Sequence, residues 1–167
     1  TNSALVFDGT FNSVVENAGT IFGGTFTGDL TDWGIVDGGN FGGLQSMTLE
    51  TGGTWDYDTE VGGSIINKGI IAAGTFTGAV ENRLHIAAGT FNGTVINSGA
   101  ITGGTFALTG DYTQTAGSFS GVTDSMTMAN FDLQGGTFQA PDMTVSGAFK
   151  VSDGAFTSGS SVITLQG

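Results

Sequence analysis

Three carboxylates stand at alternate positions in the stretch Asp56-Tyr57-Asp58-Thr59-Glu60. On an extended strand, residues two apart point to the same side, so Asp56, Asp58 and Glu60 would offer three hard oxygen donors on one face. Calcium takes such donors, six to eight at a time, and is the one cofactor these residues suggest. The competing reading is a hydrated acidic face on an inserted loop. Asp29, Asp32 or Asp37 would add donors only if folding brought them close. His85 is the only histidine, and no cysteine is present. A metal centre or a nucleophilic triad built on His85 would lack its partners. Carboxylate chemistry on sugars needs acidic groups clustered in a groove, or set beside basic ones, and the basic residues number three: Lys68, Arg83 and Lys150. No catalytic residues are expected, and the chain reads as non-enzymatic.

Two further sets of residues could act by contact alone. Thr25 and Thr27 flank Phe26, and Thr75 and Thr77 flank Phe76. Flat ranks of outward threonines could meet ice, yet the second threonine becomes Asn12, Gly42, Asn92 or Ala107 in equivalent places. Threonine also suits any exposed strand position. Trp33, Trp55 and Tyr57 read as exposed aromatics able to stack on sugars or on a neighbouring subunit.

The elements that hold these residues follow from a repeat. Phe11, Phe26 and Phe41 lie fifteen residues apart, as do Phe76, Phe91 and Phe106, and Val61 falls in the same slot. Behind them come Val15, Leu30, Ile65, Val80 and Val95 four residues later. Asn17, Asp32, Asn67, Asn82 and Asn97 follow at six, and Ile21, Val36, Ile71, Ile86 and Ile101 at ten. A fixed period with one residue type per slot marks a solenoid. The offsets 0, 4, 6 and 10 are all even, which is the strand period. Glycine, 31 residues of 167, costs about 1 kcal/mol per helical site, so helix is disfavoured independently. Glycine and alanine at the other even offsets leave room for three short strands around a narrow core.

The expected fold is therefore all-β: a single-domain parallel β-helix, or β-solenoid, with triangular coils and a right-handed path favoured by the handedness of parallel crossovers. Coils of about 15 residues run from 1 to about 105, with an irregular coil near 41–60. From about 106 to 167 the blocks "DYTQTAGSF", "NFDLQGGTF" and "AFKVSDGAF" repeat at 18–19 residues and read as wider coils of the same solenoid. Nine or ten coils at the sheet spacing make a rod of roughly 40 to 50 Å. The asparagines should form an amide ladder along it, with Asp32 the exception because a carboxylate brings no donor.

A net charge of −12 excludes nucleic acid and anionic membrane as partners, since three cations cannot neutralise a phosphate surface. No apolar run reaches the roughly 18 residues of a membrane helix. Thirteen phenylalanines separate the chain from disordered acidic sequences. A start at Thr1 is expected for a processed product or an excised segment.

The motifs "GGTFTG", "VENAGTI" and "VINSGAITGGTF" resemble the glycine- and threonine-rich repeats of large bacterial surface and extracellular proteins. The later blocks, ending in "FTSGSSVITLQG", are similar to repeats of bacterial filamentous adhesins of the β-helix type. The resemblance implies a secreted or cell-surface β-solenoid with a structural or adhesive role, and brings no catalytic residues with it. Strand-like, apolar segments at both ends, "TNSALVFDGTF" and "SSVITLQG", predict head-to-tail self-association into a fibre. Glycans or cell-surface components are the alternative partners, with ice a lesser one.

Overall fold

The computed structural model describes residues 5–103 and 105–166, and within them every regular element is a β-strand. All paired strands run parallel, and strands inside each sheet pair with the strand one coil before and one coil after. The chain is a β-solenoid of about nine turns, averaging roughly 17 residues each.

Three walls enclose the core. The first stacks nine strands, from Val15–Asn17 through Val80–Asn82 to Phe149–Val151, and is called here the asparagine wall. The second, the isoleucine wall, runs from Leu5–Val6 and Thr20–Phe26 through His85–Ile86 to Ala155–Thr157. The third, the phenylalanine wall, carries Thr10–Phe11, Thr75–Phe76, Gly89–Phe91 and Phe106–Leu108, and continues through Met126–Met128 and Met143–Val145 to Ile163–Leu165. The register pairs Val80 with Val95, Asn82 with Asn97, Ile86 with Ile101 and Phe76 with Phe91, so the four even slots are four columns of like side chains. Phe11–Phe26 and Phe26–Phe41 stack face to face at 4.7 Å, close to the spacing of the strands that carry them.

Glycine at the second residue after Phe26, Phe41, Phe76 and Phe91 serves the backbone rather than the core. A Cβ on Gly78 would fall on the carbonyl of Gly63, and one on Gly93 on the carbonyl of Gly78. The coils touch main chain to main chain at this corner, which no other residue permits. A second kind of glycine sits two residues before the ring. Gly39 has φ +125° and lies under Phe41, whose ring atoms would be 2.8 Å from a Cβ placed there. Gly-Thr-Phe is thus a ring laid over an empty position.

The twenty residues from Phe41 to Val61 remain one coil, and Phe41 does pair with Val61. The five extra residues are shared among the corners: two between Phe41 and Met47, two between Leu49 and Trp55, one between Trp55 and Val61. Trp55 occupies the isoleucine column here, between Val36 and Ile71, and is fully buried. This corrects the expectation of an exposed aromatic. The reason is volume: Val61 leaves the phenylalanine column short in this coil, and the Trp55 ring reaches across, edge-on to Phe41 at 4.8 Å and Phe76 at 6.4 Å. Its indole N–H donates to the carbonyl of Tyr57 at 3.0 Å, so the buried nitrogen is satisfied.

The widening begins one corner earlier than the spacing of the phenylalanines predicts. Two extra residues lie between Ile101 and Phe106, so Leu108, not Phe106, pairs with Phe91, and Phe106 pairs with Gly89. Phe106 still stacks on Phe91 at 4.8 Å, but it takes the place of the glycine. From here each strand of the third wall turns two side chains inward: Phe106 and Leu108, Met126 and Met128, Met143 and Val145 are all buried. The other walls grow in step, since Tyr112 follows Val95 and Phe119 follows Ile101. Paired aromatics Tyr112, Phe131, Phe149 and Phe119, Phe138, Phe156 then fill a broader cross-section.

Candidate functional site

The asparagine column is the most ordered polar feature. Asn67 Nδ2 donates to Asn82 Oδ1 and Asn82 Nδ2 to Asn97 Oδ1, both at 2.7 Å, with all three side chains buried. The second amide hydrogens reach the carbonyls of His85 (2.9 Å) and Ala100 (3.2 Å) on the following coil. Asn67 Oδ1 also accepts from the N–H of Gly69 at 3.1 Å, which closes the corner. The column is interrupted where Leu49 stands between Asp32 and Asn67. Below it, Asn17 Nδ2 donates to Asp32 Oδ1 at 2.6 Å, and the N–H of Gly34 to the same oxygen at 3.3 Å. Asp32 Oδ2 is buried with no hydrogen-bond partner, and desolvation holds the carboxyl above its ordinary range despite those two bonds. Beyond Asn97, Gln114 takes the slot and accepts from the Tyr112 hydroxyl at 2.8 Å. Burial pushes the Tyr112 pKa up, opposed by its hydrogen bond with Asn97.

The three carboxylates of the calcium reading do not share a strand. Asp56 and Asp58 lie in the corner between Thr54–Trp55 and Glu60–Val61, and only Glu60 belongs to a strand. All three are exposed, and no group of three metal-ligating side chains gathers among the described residues. His85 is half-buried on the outer side of the isoleucine wall, its Nε2 at 2.6 Å from Thr102 Oγ1. Each basic residue faces an acid: Lys68 to Glu50 at 2.8 Å, Arg83 to Glu81 at 2.7 Å, Lys150 to Asp132 at 3.8 Å. The Arg83 bond holds the exposed Glu81 carboxyl below its ordinary pKa.

Thr25 and Thr75 take the outward place just before the phenylalanine column, in one file with Thr10 and Thr90, but Asn40 and Glu60 stand between them. Thr27 bonds Asn12 Oδ1 at 2.7 Å and Thr77 bonds the carbonyl of Val61 at 3.3 Å. Tyr57 is packed against the core, which leaves Trp33, 43% exposed, as the one outward ring of the three. Two shallow grooves follow the corners. One, of about 290 Å³, is lined by Asp58, Ala72, Ala88 and Thr90, the other, of about 340 Å³, by Gln139, Pro141, Asp142 and Ser161. In the second, Asp142 Oδ1 already accepts from the N–H of Val162 and Ser161 Oγ donates to the carbonyl of Ala140.

The outermost described coils differ from the rest of the surface. At one end Leu5, Phe7 and Val14 are 55, 67 and 64% exposed, and Phe7 stacks outside the core on Phe22 at 5.3 Å. At the other Val151, Val162 and Leu165 are 44, 64 and 58% exposed. Phe11, Val15, Phe149 and Phe156, members of the core columns, are there only partly covered. Several outer strands have a single sheet neighbour among the described residues: Leu5–Val6 and Thr10–Phe11 below, Phe149–Val151, Ala155–Thr157 and Ile163–Leu165 above. The apolar character of the terminal segments was readable from sequence. Phe7 is exposed because its slot is an outward one. No protein-family model, curated protein or solved structure matches the chain.

Proposed function

We propose that this chain is a non-enzymatic structural element of an extracellular or surface filament, in which β-solenoids stack end to end. The observation that carries the reading is the exposed apolar character of the outermost described coils, Leu5, Phe7 and Val14 at one and Val151, Val162 and Leu165 at the other, on strands with one sheet neighbour among the described residues. An exposed, untwisted strand edge is a template for another strand, and folded proteins ordinarily cover or charge it. The interior supports the same reading, because each coil already stacks on a near-copy of itself through amide and aromatic columns. The outer faces, acidic and rich in threonine, keep such a rod wetted along its length.

Electron microscopy of the purified chain tests this. Rods many times longer than the roughly 40 Å of nine coils are expected at micromolar concentration. A monodisperse monomer at every concentration, in light scattering and in images, refutes it. A second reading, a stalk that displays an adhesive face to glycans, draws on exposed Trp33 beside Ile35. Glycan binding by the monomer that is lost in Trp33→Ala would favour that reading.

A further inference from the structure

One corner of the wide half forms a slot whose origin is a difference in corner length. Between the isoleucine and phenylalanine walls the chain spends five residues from Ser118–Ser120 to Met126–Met128, and five from Ala155–Thr157 to Ile163–Leu165. In the coil between them it spends three, residues 140–142, from Thr137–Gln139 to Met143–Val145. Register holds Phe119, Phe138 and Phe156 in one column and Met126, Met143 and Ile163 in another, so the extra residues above and below bulge outward as ridges. The short corner is the floor of the groove of about 340 Å³ between them.

The two ridges are held differently. The upper one is stitched to the floor, with Ser161 Oγ donating to the carbonyl of Ala140 and Val162 N–H to Asp142 Oδ1, both at 2.8 Å. The lower one, residues 121–125, makes no hydrogen bond to the floor among the described residues. It is tied only past its end, where Met126 N–H donates to the carbonyl of Asp142 at 2.9 Å. The groove therefore opens along the lower ridge. Its base is apolar, since Val122, Ala140 and Pro141 are buried. Thr123, Gln139 and Asp142 stand exposed around that base. The Thr123 hydroxyl and the Gln139 amide have no hydrogen-bond partner among the described residues, and Asp142 uses only Oδ1.

We infer that this slot binds an alkylguanidinium group, the side chain of an arginine. Charge selects a cation: Asp142 is the one ionic group in the lining, Asp124 stands beside Thr123 on the lower ridge, and the chain carries −12 overall. The three basic residues face Glu50, Glu81 and Asp132 on other parts of the surface, so none neutralises the slot. Shape selects guanidinium over ammonium. A planar fork of donors serves the Asp142 carboxylate and the Gln139 carbonyl oxygen together, whereas an ammonium is a compact, strongly hydrated point charge. The aliphatic stem lies on Val122 and Pro141, as long cationic side chains do on apolar surface. A volume at the small end of ligand pockets suits one side chain and not an extended ligand. The site stands independently of end-to-end stacking.

NMR titration of the full chain tests this, with N-acetyl-arginine amide as the probe and its neutral isostere N-acetyl-citrulline amide as the control. The arginine derivative should shift the amide resonances of Val122, Thr123, Gln139 and Asp142, including the Gln139 side chain, with a midpoint in the millimolar range that weakens as salt is added. Asp142→Asn keeps the oxygen that accepts from Val162 and removes the charge, so it should melt like the wild type and bind about tenfold more weakly. Gln139→Ala, at an exposed position, should also weaken binding. A citrulline derivative that binds as well as the arginine one, an Asp142→Asn variant that binds unchanged, or no shift at tens of millimolar overturns the assignment. So does methyl galactoside moving these resonances where the arginine derivative does not. Dilution of the wild type identifies the source of the group: slot shifts that depend on concentration and vanish in Arg83→Gln assign it to a second copy, and their absence assigns it to a different chain.

Discussion

Replacing Asp32 with asparagine should stabilise the protein at neutral pH. Asp32 is a fully buried carboxylate that receives two hydrogen bonds on Oδ1 and none on Oδ2. In the coils that carry asparagine in this slot, the corresponding amide hydrogen finds a carbonyl one coil on, that of His85 for Asn67. Thr54 holds the place of His85 for Asp32, since Ile35 pairs with Thr54 as Ile70 pairs with His85. The amide would thus meet a carbonyl where the carboxylate meets nothing. An unmet buried polar atom costs about 1–3 kcal/mol, which for a chain of this size is roughly 2 to 4 °C in Tm per kcal/mol. The gain must depend on pH with a definite sign. Burial raises the folded-state pKa of Asp32 above its usual 3.8, so the wild type holds its full Asp32 stability only below that value and loses it as pH rises through the folded pKa. Thermal melts of both proteins from pH 4 to pH 8 should show Asp32→Asn well ahead at pH 8 and the two converging toward pH 4. Subtracting the curves cancels the other carboxylates. A variant that melts lower than wild type at pH 8, or a difference that is flat with pH, would refute the reasoning.

Three further outcomes follow from the packing. Gly78→Ala puts a methyl against the carbonyl of Gly63 and should cost about 2–3 kcal/mol. Gly42→Ala, whose nearest neighbour is 3.7 Å away, should stay within about 0.5 kcal/mol in the same urea titration. Trp55→Ile and Val61→Phe should each destabilise, by about 2–3 kcal/mol for the cavity the first leaves. The double variant restores the regular template, so a cycle should show a favourable coupling of about 1 kcal/mol or more, and strict additivity would contradict the compensation between these side chains. Adding millimolar calcium, or a chelator, should leave the Tm unchanged, because Asp56, Asp58 and Glu60 turn a corner rather than share a face. A rise of several degrees would show that they close around an ion.

The walls were legible from sequence because the residues that build them recur at even offsets, and the phenylalanine, valine and isoleucine columns stay apolar throughout. Val61 could be placed in a phenylalanine slot from spacing alone, and Phe41 pairs with it. Trp55 was misread because the extra residues of its coil hide the offset that makes it a column member. Only the neighbouring deficit at Val61, a fact of volume and not of pattern, explains why an indole is wanted inside. The same holds for Phe106, which the period assigns to the ring column and the longer corner moves onto the glycine. Leu49 broke the amide column for a similar reason: its offset from Phe41 is eight rather than six, so the template does not reach it. The exposed carboxylates and threonines were legible as outward residues. What they do there depends on which corners the chain turns between them, and corner lengths are the part of a solenoid that side-chain periodicity does not encode.

The step in girth at Phe106 has an optical consequence. A filament of identical coils scatters with one axial spacing, the distance between strands. A filament of these chains would be banded, with a slender and a stout segment alternating once per molecule. Fibre diffraction should then carry, besides the reflection near 4.8 Å, a weak long-period series at about nine times that spacing, near 43 Å. Its direction-dependent profile would make every fibre visibly polar, so that head and tail could be told apart in a single averaged image.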